Sequence, residues 1–126
     1  MMKKNQGTRL TNKNCAPCRG GVAPLKGDQL NSFLGEVPKW EAMEQHHLVR
    51  SFPFEDFKSA LQFVNKIGDL AEEEWHHPDL GLAWGKVDIK IYTHKINGLS
   101  ENDFILAAKI DRLFEIGLNS GTESSG

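Results

Sequence analysis

The segment EDFKSALQFVNKIGDLAEEEWH, residues 55 to 76, predicts the element around which the rest of the fold is arranged. Its apolar positions recur at steps of three and four residues, and they are Phe57, Ala60, Leu61, Val64, Ile67, Gly68, Ala71 and Trp75. This period brings them to one face of an α-helix. The segment therefore predicts a long central helix with one face toward the core.

The period changes from helical to alternating directly after this helix. In LGLAWGKVDIKIYTH, residues 80 to 94, one face of a strand would carry Val87, Ile89, Ile91 and Thr93, and the other Asp88, Lys90, Tyr92 and His94. Successive side chains of a strand point to opposite faces, so this alternation is typical of a half-buried strand. We expect two strands here, with one face in the core and one polar face.

Shorter signals give the remaining elements. Asp28 can cap a short helix that Gly35 ends, and two strand-like runs between residues 40 and 53 form a hairpin. Ser100 can cap the last helix, with Asp103 at the third position of a capping box. The predicted order is α-β-β-α-β-β-α. We predict an α+β fold, a two-layer sandwich in which helices cover one face of a four-stranded antiparallel sheet.

The length of 126 residues suits a single domain. Residues 1–24 are polar and rich in Gly, Asn and Lys, and the end of the chain has the composition of a disordered tail. We predict a flexible N-terminal segment at 1–24, one domain at 25–117 and a disordered tail at 118–126. Large apolar side chains on the last helix predict a homo-oligomer, and they are Leu106, Ile110, Leu113 and Phe114.

The charge balance excludes two classes of partner. The net charge is -2 and the isoelectric point is about 6.2, so the chain lacks the basic field that would attract nucleic acid or anionic lipid. No apolar run approaches the roughly 20 residues of a membrane span. We expect no nucleic acid or membrane partner and a cytoplasmic location.

The two cysteines, Cys15 and Cys18, form a C-x-x-C pair. A structural zinc site needs four ligands, and no second pair exists. The pair is followed by Gly20 and Gly21, where a thioredoxin-like motif would open a helix. The spacing favours reduced thiols in a loop, with redox or metal chemistry as open alternatives.

Two adjacent histidines close the central helix in AEEEWHHPDL, residues 71 to 80. Glu72 lies four residues before His76, and Glu73 four before His77, so each carboxylate is expected to orient one ring. Pro78 disfavours helical geometry at the residue before it, so the two rings should diverge.

A third histidine, His94, ends the last strand. Imidazole titrates near neutral pH, so three histidines at the ends of elements suit acid/base catalysis. Two other interpretations stay open: solvated histidines at a capped helix end, and a zinc site, although chelating spacings are absent. His46 and His47 lie between strand-like runs without a carboxylate at helical spacing, which indicates a solvated hairpin.

Three motifs together resemble the pterin-4a-carbinolamine dehydratase family. They are A-E-x-x-x-H-H-P at 71 to 78, T-H at 93 and 94, and G-L-S-x-x-D at 98 to 103. Trp40 and the F-x-F-x-x-F run at 52 to 57 add to the resemblance, which covers residues from about 22 to 114. The CRGG segment and HHPDLGLAWGKV look like the bacterial branch.

This resemblance implies removal of water from 4a-hydroxytetrahydrobiopterin, the adduct left by an aromatic amino acid hydroxylase such as phenylalanine hydroxylase, to give quinonoid dihydropterin. It implies a hydro-lyase that uses no metal and no cofactor, and a dimer or tetramer. By matching position it assigns catalysis to His76, His77, His94 and Glu72, and substrate binding to Thr93, Trp75, Tyr92 and Pro78. Trp75 and Tyr92 depart from the animal sequences, and Asp103 is explained by capping alone.

The resemblance also implies two alternatives. Animal members act as dimerisation cofactors of a transcription factor, so the chain is alternatively a protein-binding regulator. It is also alternatively a relative that acts in another pterin pathway. The complete histidine set favours the dehydratase.

Overall fold

The computed structural model describes residues 10–15 and 22–124, with side chains to residue 117. The helices are α1 (Gly27–Leu34), α2 (Phe57–Glu74) and α3 (Glu101–Ser124), and the strands are β1 (Glu41–Met43), β2 (His47–Pro53), β3 (Asp79–Ala83) and β4 (Lys86–Ile91). A single 3₁₀ turn, His94–Ile96, joins β4 to the last helix. The predicted order of helices and strands is confirmed.

The four strands form one antiparallel sheet in the order β1-β2-β4-β3. The alternation predicted for β4 is confirmed, because Val87, Ile89 and Ile91 are buried while Lys86 is exposed. The ring of Phe52 on β2 lies 5.0 Å from Phe63 of α2 and 4.9 Å from Phe114 of α3, measured between centroids. Both long helices therefore cover the same face of the sheet, which confirms the two-layer sandwich.

The buried face of α2 differs from the predicted face. The buried residues are Ala60, Phe63, Ile67 and Ala71, whereas Phe57 and Leu61 are 42% and 39% exposed. Both sets fit steps of three and four, and the bulk of Phe63, which packs into the aromatic core, decides between them. The helix begins after Asp56, whose side chain accepts a hydrogen bond from the Ser59 N–H.

The chain before α1 contributes to the core. Leu10 is fully buried, Lys13 pairs with Glu101 at 2.5 Å, and the Cys15 N–H donates to Glu74 at 2.8 Å. Residues 10–15, which lie within the segment 1–24 that was expected to be flexible, thus contact both long helices. Cys18 lies outside the described residues.

The last helix continues to Ser124, past residue 117 where a disordered tail was expected. The domain limits stay a prediction. None of the helices in the described part of the chain is long and apolar enough to cross a bilayer.

Candidate active site

Helix α2 ends at Glu74, and one residue, Trp75, separates it from the two histidines. Trp75 has a φ of 53°, in the left-handed region, and the His76 N–H bonds the carbonyl of Ala71 at 3.2 Å. A left-handed residue after the last turn is a common helix terminus, although glycine usually occupies it. The backbone reversal at Trp75 therefore carries His76 and His77 off the helix, and the expected four-residue pairings of Glu72 with His76 and Glu73 with His77 are wrong.

The ring of His76 is held by Asp103 in the first turn of α3. Nε2 of His76 lies 2.7 Å from Oδ1 of Asp103, with side chains that are 12% and 0% exposed. The other carboxylate oxygen, Oδ2, accepts from the Thr93 hydroxyl at 2.9 Å and from the Ser100 N–H at 2.8 Å. One buried carboxylate thus joins the ends of α2 and β4 to the start of α3.

The hydrogen-bond donors in this cluster follow from its chemistry. Thr93 has one hydroxyl proton and gives it to Asp103, so the Ser100 hydroxyl, 2.9 Å from Thr93, must donate to Thr93. An ionised Asp103 accepts only, so His76 bears its proton on Nε2. In neutral His76 this leaves Nδ1 unprotonated and able to accept a proton.

The predicted capping box is half formed. The Asp103 side chain reaches back to the Ser100 N–H, as the motif requires. The Ser100 hydroxyl contacts Thr93, which gives this helix cap a direct connection to the histidine site. Capping alone is therefore an incomplete account of Asp103. The sequence does contain a signal for Asp103, because its capping motif begins six residues after the Thr93-His94 pair. The contact between Asp103 and His76 depends on tertiary packing and is not visible in the sequence.

His77 has a different partner and a more exposed position. Its Nε2 lies 2.6 Å from Oε2 of Glu72, and the two side chains are 49% and 69% exposed. The Trp75 ring, on a residue that is 77% exposed, meets the His77 ring edge-on at 5.2 Å between centroids. Pro78 follows and is half-buried where β3 begins. The carboxylate fixes Nε2 as the protonated nitrogen of neutral His77, as Asp103 does for His76.

His94 lies in the 3₁₀ turn directly after Thr93, and its side chain is exposed. Its ring centroid lies 4.2 Å from that of Tyr92. Tyr92 in turn contacts His46 at 4.6 Å. Nε2 of His46 lies 2.8 Å from Oδ1 of Asn97, and its Nδ1 lies 3.0 Å from Nδ1 of His47. The hairpin predicted at His46 and His47 is present, but the interpretation of these rings as solvated is wrong, because the β1–β2 hairpin places them half-buried beside the end of β4.

A second polar cluster lies where residues 10–15 cross the two long helices. Glu74 accepts from the Cys15 N–H and from Nζ of Lys109 at 2.5 Å, and Lys109 also contacts Asn14 at 3.1 Å. Burial, followed by the nearby Glu74 charge, raises the pKa of the Cys15 thiol to about 12. The thiol is therefore a poor nucleophile and a poor metal ligand at neutral pH.

No group of three His, Cys, Asp or Glu side chains in residues 10–15 and 22–117 is arranged to hold a metal ion. A broad open groove lies on the sheet face that the helices leave uncovered, lined by residues such as Val49, Asp88 and Lys90. None of the histidines lines it. The candidate site lies at the histidines and not in this groove, because the imidazole rings are the groups suited to proton transfer near neutral pH.

Comparison with known proteins gives a consistent result. A family model described as "Pterin 4 alpha carbinolamine dehydratase" matches residues 23–113. A protein of Rubrobacter xylanophilus is 53% identical over 106 residues, which are 84% of this chain and 99% of the relative. One of Methylococcus capsulatus is 50% identical over 105 residues, 82% of this chain and 92% of the relative. Both are named "Putative pterin-4-alpha-carbinolamine dehydratase".

A crystal structure of a "transcriptional coactivator/pterin dehydratase" from Brucella melitensis superposes with a TM-score of 0.67 at 31% identity. The superposition covers 71% of this chain and 97% of that chain. The family match includes every histidine of the candidate site and Asp103.

Proposed function

The chain belongs to the pterin 4 alpha carbinolamine dehydratase family, and from this membership we propose that His76, His77 and His94 remove water from 4a-hydroxytetrahydrobiopterin by acid/base catalysis. As a member of this family it is a hydro-lyase with a pterin substrate. The observation that carries the proposal is the contact between His76 and the buried Asp103. We further propose that the reaction recycles the pterin of an aromatic amino acid hydroxylase.

The reaction needs two proton transfers. One proton goes to the hydroxyl on C4a as its C–O bond breaks and water leaves, and one is removed from a ring nitrogen of the pterin so that a C=N bond can form. Each transfer by a positioned side chain typically contributes about 10²- to 10⁴-fold to the rate. More than one histidine in a site allows an acid and a base to be present together near pH 7.

His76 is suited to the role of base. Its Nε2–H is directed at a carboxylate that is fully buried and holds two further hydrogen bonds, so the ring has a fixed orientation and tautomer. A carboxylate behind an imidazole also stabilises the cation that forms when the other nitrogen takes a proton. Nδ1 is the atom of His76 that would accept the proton from the substrate.

His77 and His94 are the candidates for the acid, because both are exposed and neither ring is held by a buried carboxylate in the described part of the chain. Because Glu72 holds Nε2–H of His77, His77 can act as the acid only in its doubly protonated form, which would donate the Nδ1 proton to the leaving hydroxyl and keep the proton on Nε2. Thr93, Trp75, Tyr92 and Pro78 stay proposed as residues that line the pterin site. The chemistry transfers only protons, so we expect neither a metal nor a cofactor.

The assignment is tested by the decay rate of the carbinolamine with single variants. His76→Ala, His77→Ala and His94→Ala should each lower the catalysed rate by roughly 10²-fold or more, the usual scale for loss of one general acid or base. Arg112→Ala, on an exposed part of α3, is the control and should leave the rate within about twofold. Wild-type rates in all three histidine variants would overturn the assignment, and a chelator that abolishes activity restored by zinc would overturn the metal-free mechanism.

Protein binding is a second candidate function. The Brucella relative is described both as a transcriptional coactivator and as a pterin dehydratase. In this chain Phe57 and Leu61 expose apolar surface on adjacent turns of α2, which a protein partner or a second copy would cover. Replacing both by Glu should prevent such binding while leaving the rate per chain in the histidine site intact, which separates this candidate from the dehydratase.

We still propose a homo-oligomer, but with an interface on a different helix from the one that the sequence indicated. Leu106 and Ile110 are fully buried within the domain, and Leu113 and Phe114 pack against its core, so the predicted apolar surface on α3 is already covered. The exposed residues Phe57 and Leu61 on α2 are the better candidates for an interface. Light scattering that gives a 14.1 kDa particle at micromolar concentration would contradict an oligomer.

A further inference from the structure

The β1–β2 hairpin delivers two histidines to the end of β4. The turn between β1 and β2 has three residues, 44–46; Glu44 and Gln45 lie in the left-handed region with φ values of 56° and 54°, and the His46 N–H bonds the carbonyl of Met43 at 2.8 Å. Leu48 pairs with Ile91 in the antiparallel register of β2 and β4, so the residues before Leu48 lie beside those after Ile91. The fold thus brings His46 and His47 to the segment that carries His94.

His46 contacts this segment on both sides of His94. Before it, the His46 ring lies against Tyr92 at 4.6 Å, and Tyr92 lies against the His94 ring at 4.2 Å. After it, Nε2 of His46 bonds Asn97, the left-handed residue (φ 52°) that ends the 3₁₀ turn. The Asn97 N–H also bonds the carbonyl of His94 at 3.1 Å. One side chain therefore restrains the residue that supports the His94 ring and the residue that closes its turn.

The hydrogen bonds define the protonation of both hairpin rings. The contact atom of Asn97 is Oδ1, which only accepts, so His46 donates from Nε2. In neutral His46 the other nitrogen, Nδ1, then accepts from Nδ1–H of His47 at 3.0 Å. His46 uses an aromatic face, a donor and an acceptor at once, and phenylalanine or glutamine supplies only part of this set.

We propose that His46 is a positioning residue for His94, acting through Tyr92 and Asn97. This inference rests on the proposed role of His94 in the dehydratase site. The His94 side chain is exposed, and its ring packs against that of Tyr92 at an angle of 41° between the ring planes, so its direction depends on this support. Loss of the His46 ring and its donor should widen the range of His94 orientations and lower the fraction that can transfer a proton to the substrate.

A double-mutant cycle on the dehydration rate tests the proposal. His46→Ala should lower the rate roughly 10-fold in the wild-type background, since loss of productive geometry at a catalytic group has a cost of this order or larger. In the His94→Ala background the same change should have less than about a twofold effect, because the group that it positions is gone. His47→Ala is the matched control, because its ring bonds His46, lies 6.5 Å from the Tyr92 ring where His46 lies at 4.6 Å, and contacts neither Asn97 nor the His94 ring. Its rate should stay within about threefold of wild type.

Imidazole NMR of the free protein gives a readout that is independent of activity. The ring signals of His94 should move or broaden in His46→Ala and change little in His47→Ala. His46→Phe should keep the contact with Tyr92 and lose the bond to Asn97, and His46→Gln should do the reverse, so both should fall between wild type and His46→Ala. They also replace His46→Ala should that variant fail to fold.

Each outcome decides the matter. An effect of His46→Ala that persists in full without His94, or a His94 ring signal that does not move, would overturn the positioning role while leaving the proposed function in place. A wild-type rate in His94→Ala would remove His94 from the site and the proposal with it. The inference is supported if His46→Ala lowers the rate in the wild-type background, has no such effect in the His94→Ala background, and shifts the ring signals of His94.

Discussion

Nε2 of His76 lies 2.7 Å from Oδ1 of Asp103, and this carboxylate is fully buried and also accepts hydrogen bonds from Thr93 and Ser100. The three donors come from the end of α2, the end of β4 and the start of α3. An ionised carboxylate inside a protein needs such partners, and with them it defines both the direction of the imidazole and the nitrogen that holds its proton. The chemistry proposed for His76 follows from this arrangement.

Replacing Asp103 by Asn should change the protonated nitrogen of His76 while keeping the shape of the side chain that contacts it. The amide keeps the shape of the carboxylate, but its NH₂ group can donate to His76 and so favour the tautomer with the proton on Nδ1. The dehydration rate should fall by roughly 10²-fold or more, the scale of losing a general base. Ser100→Ala is the control, because it removes only the hydroxyl bond to Thr93 and keeps the backbone donor, and its rate should fall by less than about fivefold. Equal rates in Asp103→Asn and wild type would show that the tautomer of His76 is irrelevant.

Glu72 and Glu73 form a matched pair on one exposed helix turn. Of the two glutamates, Glu72 is the one that contacts His77, at 2.6 Å. Glu72→Gln should therefore lower the dehydration rate about 3- to 10-fold, which is less than the loss expected on replacing a buried orienting group. Glu73→Gln removes the same charge one residue further on and should leave the rate within about twofold. If the effect of Glu72→Gln comes from the contact with His77 and not from the loss of a surface charge, its size should be similar in steady-state rates measured at low and at high salt. A larger loss with Glu73→Gln would contradict the observed pairing.

Trp75 adopts a left-handed conformation, which costs a residue other than glycine about 1 kcal/mol. Because the side chain is 77% exposed, Trp75→Gly should raise the free energy of unfolding by about 0.5 kcal/mol or more. Trp75→Val should lower it by about 1 kcal/mol, since a β-branched residue tolerates this conformation least. Urea unfolding measures both changes. The reverse order would mean that the ring contact of Trp75 with His77 outweighs the backbone conformation.

Cys15 should resist alkylation in the folded chain. In a Cys18→Ser background it is the one thiol present, and a pKa raised from 9.0 to about 12 lowers its thiolate fraction at pH 8 by about 10³-fold. Iodoacetamide should therefore react at least about 10²-fold more slowly with the native chain than with the chain in denaturant. Rapid alkylation of the native protein would show that residues 10–15 leave the helices readily.

The same pKa shift gives a pH dependence of stability with a defined sign. The unfolded thiol ionises before the folded one, so the contribution of Cys15 is complete below pH 9 and is lost as the pH rises toward 12. The free energy of unfolding should fall more steeply above pH 9 in the Cys18→Ser chain than in the same chain with Cys15→Ala. Parallel curves would contradict the raised pKa of the half-buried Cys15 thiol.

Local patterns predicted the elements of this fold well. The alternation of β4 and the length of α2 follow from the side chains alone, because burial of one strand face or one helix face requires those periods. The exposed position of Phe57 and Leu61 was not predictable in this way, since two overlapping faces of α2 fit the pattern and only the aromatic packing around Phe63 chooses between them.

The candidate site was predicted in its residues and only partly in its contacts. Three of the histidines and Thr93 carry the family motifs, but the partner of His76 is 27 residues away in sequence and the contact of His46 with Asn97 spans 51 residues. The carboxylate pairings expected from helical spacing failed because Trp75 ends the helix before the first histidine. Contacts of this kind depend on how helices and hairpins meet, which periodicity does not describe.

The central claim is that this chain accelerates the dehydration of 4a-hydroxytetrahydrobiopterin through its histidines, and stopped-flow measurement of carbinolamine decay at neutral pH tests it most directly. The account predicts that purified wild-type protein accelerates the decay well above the spontaneous rate, and that His76→Ala, with an unchanged far-UV circular dichroism spectrum, loses roughly 10²-fold or more of that acceleration. A folded wild-type protein that leaves the decay at its spontaneous rate would contradict the account.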